Sequence, residues 1–335
     1  MSIRQYTSAG RSWGLLLTLF TALTLSFTAC KKQDDTTPAL STITEIINNG
    51  SKFTLLKAAL VKAGLDGTLS QAGTYTVFAP TDDAFKLFGY GDVAAINAAP
   101  VDILKAVLQY HVLPTRIESS AIPLAVNTAQ QTLLSNAVLY TSKVSSSTST
   151  SSSSTTLSVN GAHILQADGL ASNGVIYAID RVLLPPLFGN VAATIQSIPL
   201  LLPTASFKLL QAAVLKAGTQ TAATLTATGP ITVFAPTDAA FKAMGYDSAK
   251  IATAPAGALA NVLSYHVLNS RTYTPLITNG SSLSTLQGGT ITAGISTTAL
   301  TVTGRGNANT ASNITGPDIT ATNGVVHIID RLLIP

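Results

Sequence analysis

The sequence predicts an α+β fold built twice over, and three observations predict it. The first is an internal duplication. Tyr75-Thr-Val-Phe-Ala-Pro-Thr-Asp-Asp-Ala-Phe85-Lys recurs as Ile231-Thr-Val-Phe-Ala-Pro-Thr-Asp-Ala-Ala-Phe241-Lys, 156 positions on. Val107-Leu-Gln-Tyr-His-Val-Leu113 recurs from Val262, 155 positions on, and Asn173-Gly-Val-Ile-Tyr-Ala-Ile-Asp-Arg-Val-Leu-Leu-Pro185 from Asn323, 150 positions on. Ordered blocks at nearly constant offset mean a duplicated domain, with the drift absorbed by insertions in loops of the first copy. The second observation is that β-branched, alternating strands stand beside runs of helical spacing in each copy. The third is that each copy closes on Asn-Gly flanked by alternating strands, a hairpin signal.

Taken in order, Tyr75 to Ala79 alternates like a strand, and Pro80 ends it. Thr81 is placed as a helix N-cap, with Asp82 and Asp83 in the first turn facing the positive helix end and Phe85 turned onto the core. The second copy keeps Thr237 and Asp238 but carries Ala239, so one acid suffices, which points to a folding role. A calcium site needs more oxygen ligands than these two carboxylates supply. Pro100 starts a helix with Ile103, Leu104, Val107 and Leu108 on one face, after which Tyr110 to Leu113 reads as strand. Asn160-Gly161, Asn173-Gly174 and Asn323-Gly324 read as type I′ turns. Asp180-Arg181 and Asp330-Arg331 interrupt apolar final strands and read as ion pairs at an edge. Ser145 to Thr156 contains only Ser and Thr, cannot bury a core, and is expected as a mobile loop bulging from a hairpin.

The N-terminus stands apart from the repeats. Arg4 and Arg11 precede an apolar run from Trp13 toward Ala29, which reads as a signal peptide over residues 1–29. A membrane-spanning helix is the rival, but the run carries four threonines and falls short of the ~20 apolar residues a span needs. Cys30, the sole cysteine, follows directly in a context that resembles the lipobox of bacterial lipoproteins, with Phe27 where Leu is usual, and is the expected lipid attachment site. A lone cysteine gives no internal disulfide, so the domains must hold by packing alone. Residues 30–38 form a polar tether, with Lys31, Lys32, Asp34 and Asp35, that resembles the short signals sending lipoproteins of Bacteroidetes-type bacteria to the outer face of the cell; a plain solvated linker is the alternative. The domains then run over 39–185 and 190–335, joined by a linker at 186–189.

Composition excludes other classes. With 46% hydrophobic and 10% charged residues over 335 positions, the chain can fill two cores. The mean hydropathy of +0.38 is spread along it rather than gathered in membrane-length blocks. Without residues 1–29, seventeen basic side chains face fifteen acidic ones, a net +2, and no Lys/Arg cluster is interleaved with aromatics, so nucleic acid is not an expected partner.

The three repeated motifs resemble the signature of the fasciclin domain, present twice over nearly the whole chain after the leader. The resemblance implies, in each copy, a β-wedge or sandwich of short strands with several helices packed on it. It also implies a role in adhesion for the Tyr-His region, here Tyr110, His111, Tyr265 and His266; the alternative is that these rings pack in the core with their polar atoms bonded to backbone. No catalytic residues, metal ligands or cofactor are expected: the histidines His111, His163, His266 and His327 are scattered, Tyr177 stands where the second copy has His327, and no nucleophile motif is present. The leading expectation is a lipid-anchored, non-catalytic protein of the outer membrane or cell surface, binding extracellular polysaccharide, matrix or a cell-surface protein, with the membrane as second partner through Cys30. A structural spacer and a polysaccharide-active hydrolase are the alternatives. Asp35-Thr36-Thr37 and Asp247-Ser248-Ala249 resemble short O-glycosylation acceptors, and the Ser/Thr tract offers further hydroxyls.

Overall fold

The computed structural model describes residues 39–147, 153–202, 205–296 and 299–335. The segments expected as signal peptide and tether, with Cys30, lie outside the described residues. The first repeat comprises α1 (Ile43–Asn49), α2 (Thr54–Ala63), α3 (Asp66–Ser70), β1 (Tyr75–Pro80), α4 (Asp82–Leu87), α5 (Val93–Ala98), α6 (Val101–Tyr110), β2 (Val112–Leu113), β3 (Thr128–Gln131), β4 (Val138–Ser147), β5 (Ser153–Val159), β6 (Ala162–Ala171) and β7 (Gly174–Ile179). The second comprises α7 (Val191–Leu201), α8 (Lys208–Ala217), α9 (Thr219–Thr226), β8 (Ile231–Pro236), α10 (Asp238–Ala243), α11 (Ser248–Thr253), α12 (Ala256–Tyr265), β9 (Val267–Leu268), β10 (Ser282–Ser284), β11 (Thr290–Ile295), β12 (Leu300–Gly304), β13 (Ser312–Ala321) and β14 (Gly324–Ile329). The expected α+β pattern is thus realised, with the helices gathered early in each copy.

Each repeat holds a seven-stranded sheet, in the orders β2-β1-β7-β6-β5-β4-β3 and β10-β11-β12-β13-β14-β8-β9. The opening strand lies parallel to the closing one, Tyr75 beside Gly174 and Ile231 beside Gly324, while the other pairings are antiparallel. Alternation along β1 and β7 sorts their side chains onto two cores. Val77, Ala79 and Ile176 meet the helices, whereas Phe78, Val175, Tyr177 and Ile179 fill the sheet's other side with Leu139 and Val159.

Thr81 and Thr237 cap α4 and α10 as expected, accepting from Ala84 N and Ala240 N. Asp82 does more than face its own helix dipole: its Oδ1 accepts from Leu55 N at 2.8 Å, near the start of α2, and Asp238 accepts from Leu209 N at 2.7 Å. Asp83 only pairs with Lys86 at the surface, which is why Ala239 can replace it. On α6, Leu104, Val107 and Leu108 are buried but Ile103 is exposed, and the helix continues through Tyr110 before β2 begins.

Two expectations are corrected. Asn160-Gly161 has the paired positive φ of a type I′ turn (44° and 84°), but Asn173 and Asn323 do not. Their buried side chains are clamps instead: Asn173 Oδ1 accepts from Ile43 N, and its Nδ2 donates to Leu69 O and Gln71 O. Asn323 repeats this with Val191 N, Leu225 O and Ala227 O, tying the first helix and α9 to the closing hairpin. The Ser/Thr tract does not simply loop out, because strand pairing continues through Ser145↔Thr155 to Ser147↔Ser153; backbone ladder bonds need no apolar side chain. The tip, 148–152, lies outside the described residues. Asp247 of the acceptor-like triplet is also the N-cap of α11, its Oδ1 accepting from Lys250 N.

Candidate functional site

The Tyr-His pair sits at the junction of α6 with β2, and of α12 with β9. Tyr110 and Tyr265 are wholly buried and their histidines nearly so, so none of these four side chains stands on the open surface. Tyr110 Oη donates to Val138 O at 2.9 Å and accepts from Asn160 Nδ2 at 2.7 Å. Tyr265 Oη donates to Thr290 O and accepts from Arg305 N. His111 Nδ1–H donates to Val107 O at 2.7 Å while Nε2 accepts from Leu183 N at 2.9 Å. His266 does the same with Val262 O and Leu333 N. Each ring therefore fastens the last helical turn to the segment after the closing strand. Burial disfavours the imidazolium and holds both histidines down at about 4, although the backbone acceptor pulls the other way.

A second constellation surrounds the bulges in β6 and β13, where Asp168 and Asp318 adopt positive φ. Asp168 accepts from Ser119 N and Oγ, and its Oδ1 lies 3.0 Å from the Tyr177 hydroxyl. Burial alone would raise its pKa, but these hydrogen bonds leave it below the usual range. Tyr177 is pushed up, by burial first and by Asp168 second. Asp318 accepts from Thr274 N and Oγ1. His327 takes the place of Tyr177: its Nδ1 accepts from Asp318 N and its Nε2–H donates to Thr272 O, as Tyr177 bonds to Ile117 O. A buried phenol in one copy and a buried imidazole in the other thus bridge bulge and loop in the same way.

The repeats meet through side chains that sequence reasoning did not bring together. Arg181 Nη1 reaches Asp318 Oδ2 at 2.7 Å, whereas its neighbour Asp180 is 3.9 Å away. The expected local ion pair is thus largely a bridge between repeats. In the second copy Asp330 binds Asn313 N and Nδ2 instead. Tyr273 Oη donates to Asn160 Oδ1 at 3.3 Å, Asn127 Nδ2 donates to Arg271 O at 2.6 Å, and the Arg271 guanidinium lies 4.2 Å over the Tyr140 ring. Arg271 is buried and donates to Ala321 O, Thr322 O and Gly324 O, with no carboxylate paired to it among the described residues. Beside these contacts runs a groove of about 650 Å³ lined by Asn127 and Tyr140 of the first repeat and by Asn269, Ser270, Arg271 and Thr322 of the second. Asn127 Oδ1 is buried there without a partner.

The family model described as "Fasciclin domain" matches residues 51–185 and again 205–335. The chain belongs to the fasciclin domain family. Among similar fasciclin proteins, the transforming growth factor-beta-induced protein ig-h3 of Sus scrofa is 30% identical over 264 residues, 78% of this chain and 35% of that protein. Protein sll1483 of Synechocystis is 36% identical over 152 residues, 45% of this chain and 77% of that one. The chain thus spans about a third of the length of the first curated relatives it matches. A solved domain pair from the insect cell adhesion molecule Fasciclin I aligns over 87% of this chain and 94% of its own, at 20% identity and a TM-score of 0.37.

Within this fasciclin pair, one difference between the copies signals the junction in the sequence. Arg116 has its own carboxylate, Glu118 at 2.8 Å, while at the matching positions Arg271 has Tyr273, which turns to the other repeat. Among the described residues no three His, Cys, Asp or Glu gather as a metal site, and no helix is long and apolar enough to cross a membrane. Replacing Arg181 by alanine is expected to cost about 2 kcal/mol, because the Asp318 side chain, 1% exposed, keeps only the Thr274 donors. Denaturant unfolding of the full chain measures this; a loss below about 0.5 kcal/mol would show the bridge to be idle.

Proposed function

We propose that this fasciclin pair is a non-catalytic extracellular binding module of the adhesion type, presented at the cell surface by export through residues 1–29 and lipidation of Cys30. The junction groove carries this reading. Amides, hydroxyls, one guanidinium and one aromatic ring converge there from both repeats, and no carboxylate lines it, so it offers donors and acceptors to a glycan or peptide without an acid-base pair for hydrolysis. Ligand pockets favour domain interfaces, and a bridged pair holds the two halves of such a site in register. Membership of the fasciclin domain family supports the same class of role. Polysaccharide, matrix and cell-surface proteins are the partners whose chemistry fits. Tyr110, His111, Tyr265 and His266 do not line this groove, and their polar atoms hold each repeat together instead.

The test pairs exposure with recognition. Intact cells are labelled with an impermeant reagent, comparing the natural protein with Cys30→Ala, and the full chain is screened on polysaccharide and matrix-protein arrays beside Asn127→Ala and Asn269→Ala. Surface labelling that depends on Cys30, with array binding at least ten-fold weaker in the asparagine variants, supports the reading. Protection from the label in every case, or array binding indifferent to both asparagines, overturns it.

A further inference from the structure

The two repeats differ where α2 meets α6 in one and α8 meets α12 in the other. In the first, Gly64 turns the chain in the left-handed region (φ 67°) and Leu65, its N–H bonded to Leu60 O, drops into the core beside Leu56, Leu60, Leu69 and Leu108. In the second, Gly218 leads straight into α9, and the stretch from Gly218 to Leu225 has eight residues where Gly64 to Leu69 has six. Thr219, in the place of Leu65, is exposed, and Val214 stands half-buried where Leu60 is buried. Across the gap, α12 presents Gly257, Ala260 and Ser264, where α6 carries Asp102, Lys105 and Gln109. At the edge, Leu286 bonds to Val267 O as Leu133 bonds to Val112 O. Leu133 packs on the first core, whereas Leu286 remains 45% exposed.

The result is a cavity of about 600 Å³ between α8, α9 and α12. Its floor is Leu210, Leu225, Val233, Phe234, Leu263 and Val267. Gln220, Thr221 and Thr224 of α9 and Asn261 of α12 supply polar groups. No charged residue lines it, and His266, which touches it, has both ring nitrogens committed to backbone.

We propose that the second repeat carries a ligand site of its own, in which this cavity takes an uncharged, mainly apolar molecule with a hydroxyl or carbonyl at one end, of the class of a long-chain alcohol. The volume lies in the range of small-molecule pockets, and an apolar floor with a few neutral hydrogen-bonding groups is the composition such pockets share. An ionised ligand would shed its hydration with no counter-charge to meet it, which selects neutral molecules. Filling the apolar floor removes surface from water that the first repeat covers with its own leucines. This site is separate from the junction groove, so it stands whether or not the adhesion reading does.

The test titrates the full chain with the neutral dye N-phenyl-1-naphthylamine, whose fluorescence rises on leaving water, and competes it with 1-dodecanol and with dodecanoate. We expect one dye per chain, displaced by dodecanol and at least ten-fold less well by dodecanoate. The double variant Ala260→Leu, Ser264→Leu, which fills the cavity, is expected to weaken dye binding at least ten-fold at an unchanged melting temperature. Val214→Leu, which restores the residue of the first repeat, is the milder filling variant, expected to weaken binding at least three-fold, and decides the matter if the double variant does not fold. Failure to bind the dye, undiminished binding in the filled variants, or equal displacement by dodecanoate overturns the proposal.

Discussion

Gly174→Ala is expected to unfold the first repeat at far lower denaturant than the natural protein, with a loss of at least about 3 kcal/mol. Gly174 opens β7 directly beside Tyr75 of the parallel strand β1. A β-carbon there would lie 2.1 Å from Tyr75 O and 2.9 Å from Ile43 Cδ1. The carbonyl cannot swing aside as a flexible side chain would, because Tyr75 is fixed by its bond from N to Asn173 O and by the strand pairing that follows. Relief therefore means parting β1 from β7, the pairing on which both cores of the repeat are laid. Gly324 stands in the same relation to Ile231 O, also at 2.1 Å, so Gly324→Ala should damage the second repeat alike. Gly64→Ala is the control: its β-carbon meets nothing within 4 Å, and only its left-handed φ is penalised, by about 1 kcal/mol. Equilibrium unfolding by circular dichroism reads all three, and a Gly174→Ala loss no larger than that of the control would sink the argument.

Acidification is expected to weaken both repeats between about pH 6.5 and pH 4. The sign follows from which state holds the proton. Above 6.5, His111 and His266 are neutral folded or unfolded and contribute no pH dependence. Below it the unfolded chain takes up protons at ordinary histidines, while the folded rings, held at about 4 by burial, do not. Stability therefore falls as pH falls through this window, by roughly 3 kcal/mol for each ring, and levels off below the folded value. His327, lowered chiefly by burial, adds to the loss in the second repeat. Protonation of Nε2 would also take away the acceptor for Leu183 N and Leu333 N, releasing the segment that follows each closing strand. Denaturant midpoints at pH 7, 5.5 and 4.5, with histidine ring titrations by NMR, measure this. Midpoints that do not move, or rings titrating near 6.5 in the folded protein, would exclude it.

Much of the architecture was legible in the residues. Duplication, strand alternation, Pro80 and Pro236 at strand ends, and Thr81 and Thr237 as caps are local or repeated signals, and each reports on its own neighbourhood. The period-2 pattern of Tyr75 to Ala79 also marked which residues share a face, since alternation is a property of the strand itself. What the sequence alone could not determine is which distant groups meet. Asn173 looked like a turn residue because its position beside Gly174 is a local fact, whereas its bonds to Ile43 N and Leu69 O exist only once α1 and α3 have folded over the hairpin. Arg181 looked like the partner of its neighbour Asp180, yet its short contact is Asp318, 137 residues away. Tyr110 and His111 carried the same polar atoms whether they faced a ligand or the core, and only packing decided that those atoms bind backbone. The cavity of the second repeat is decided in the same way: replacing leucine by threonine after Gly218 is an ordinary change in a sequence, and it opens a space only because α12 brings alanine and serine, not larger side chains, to the opposite wall.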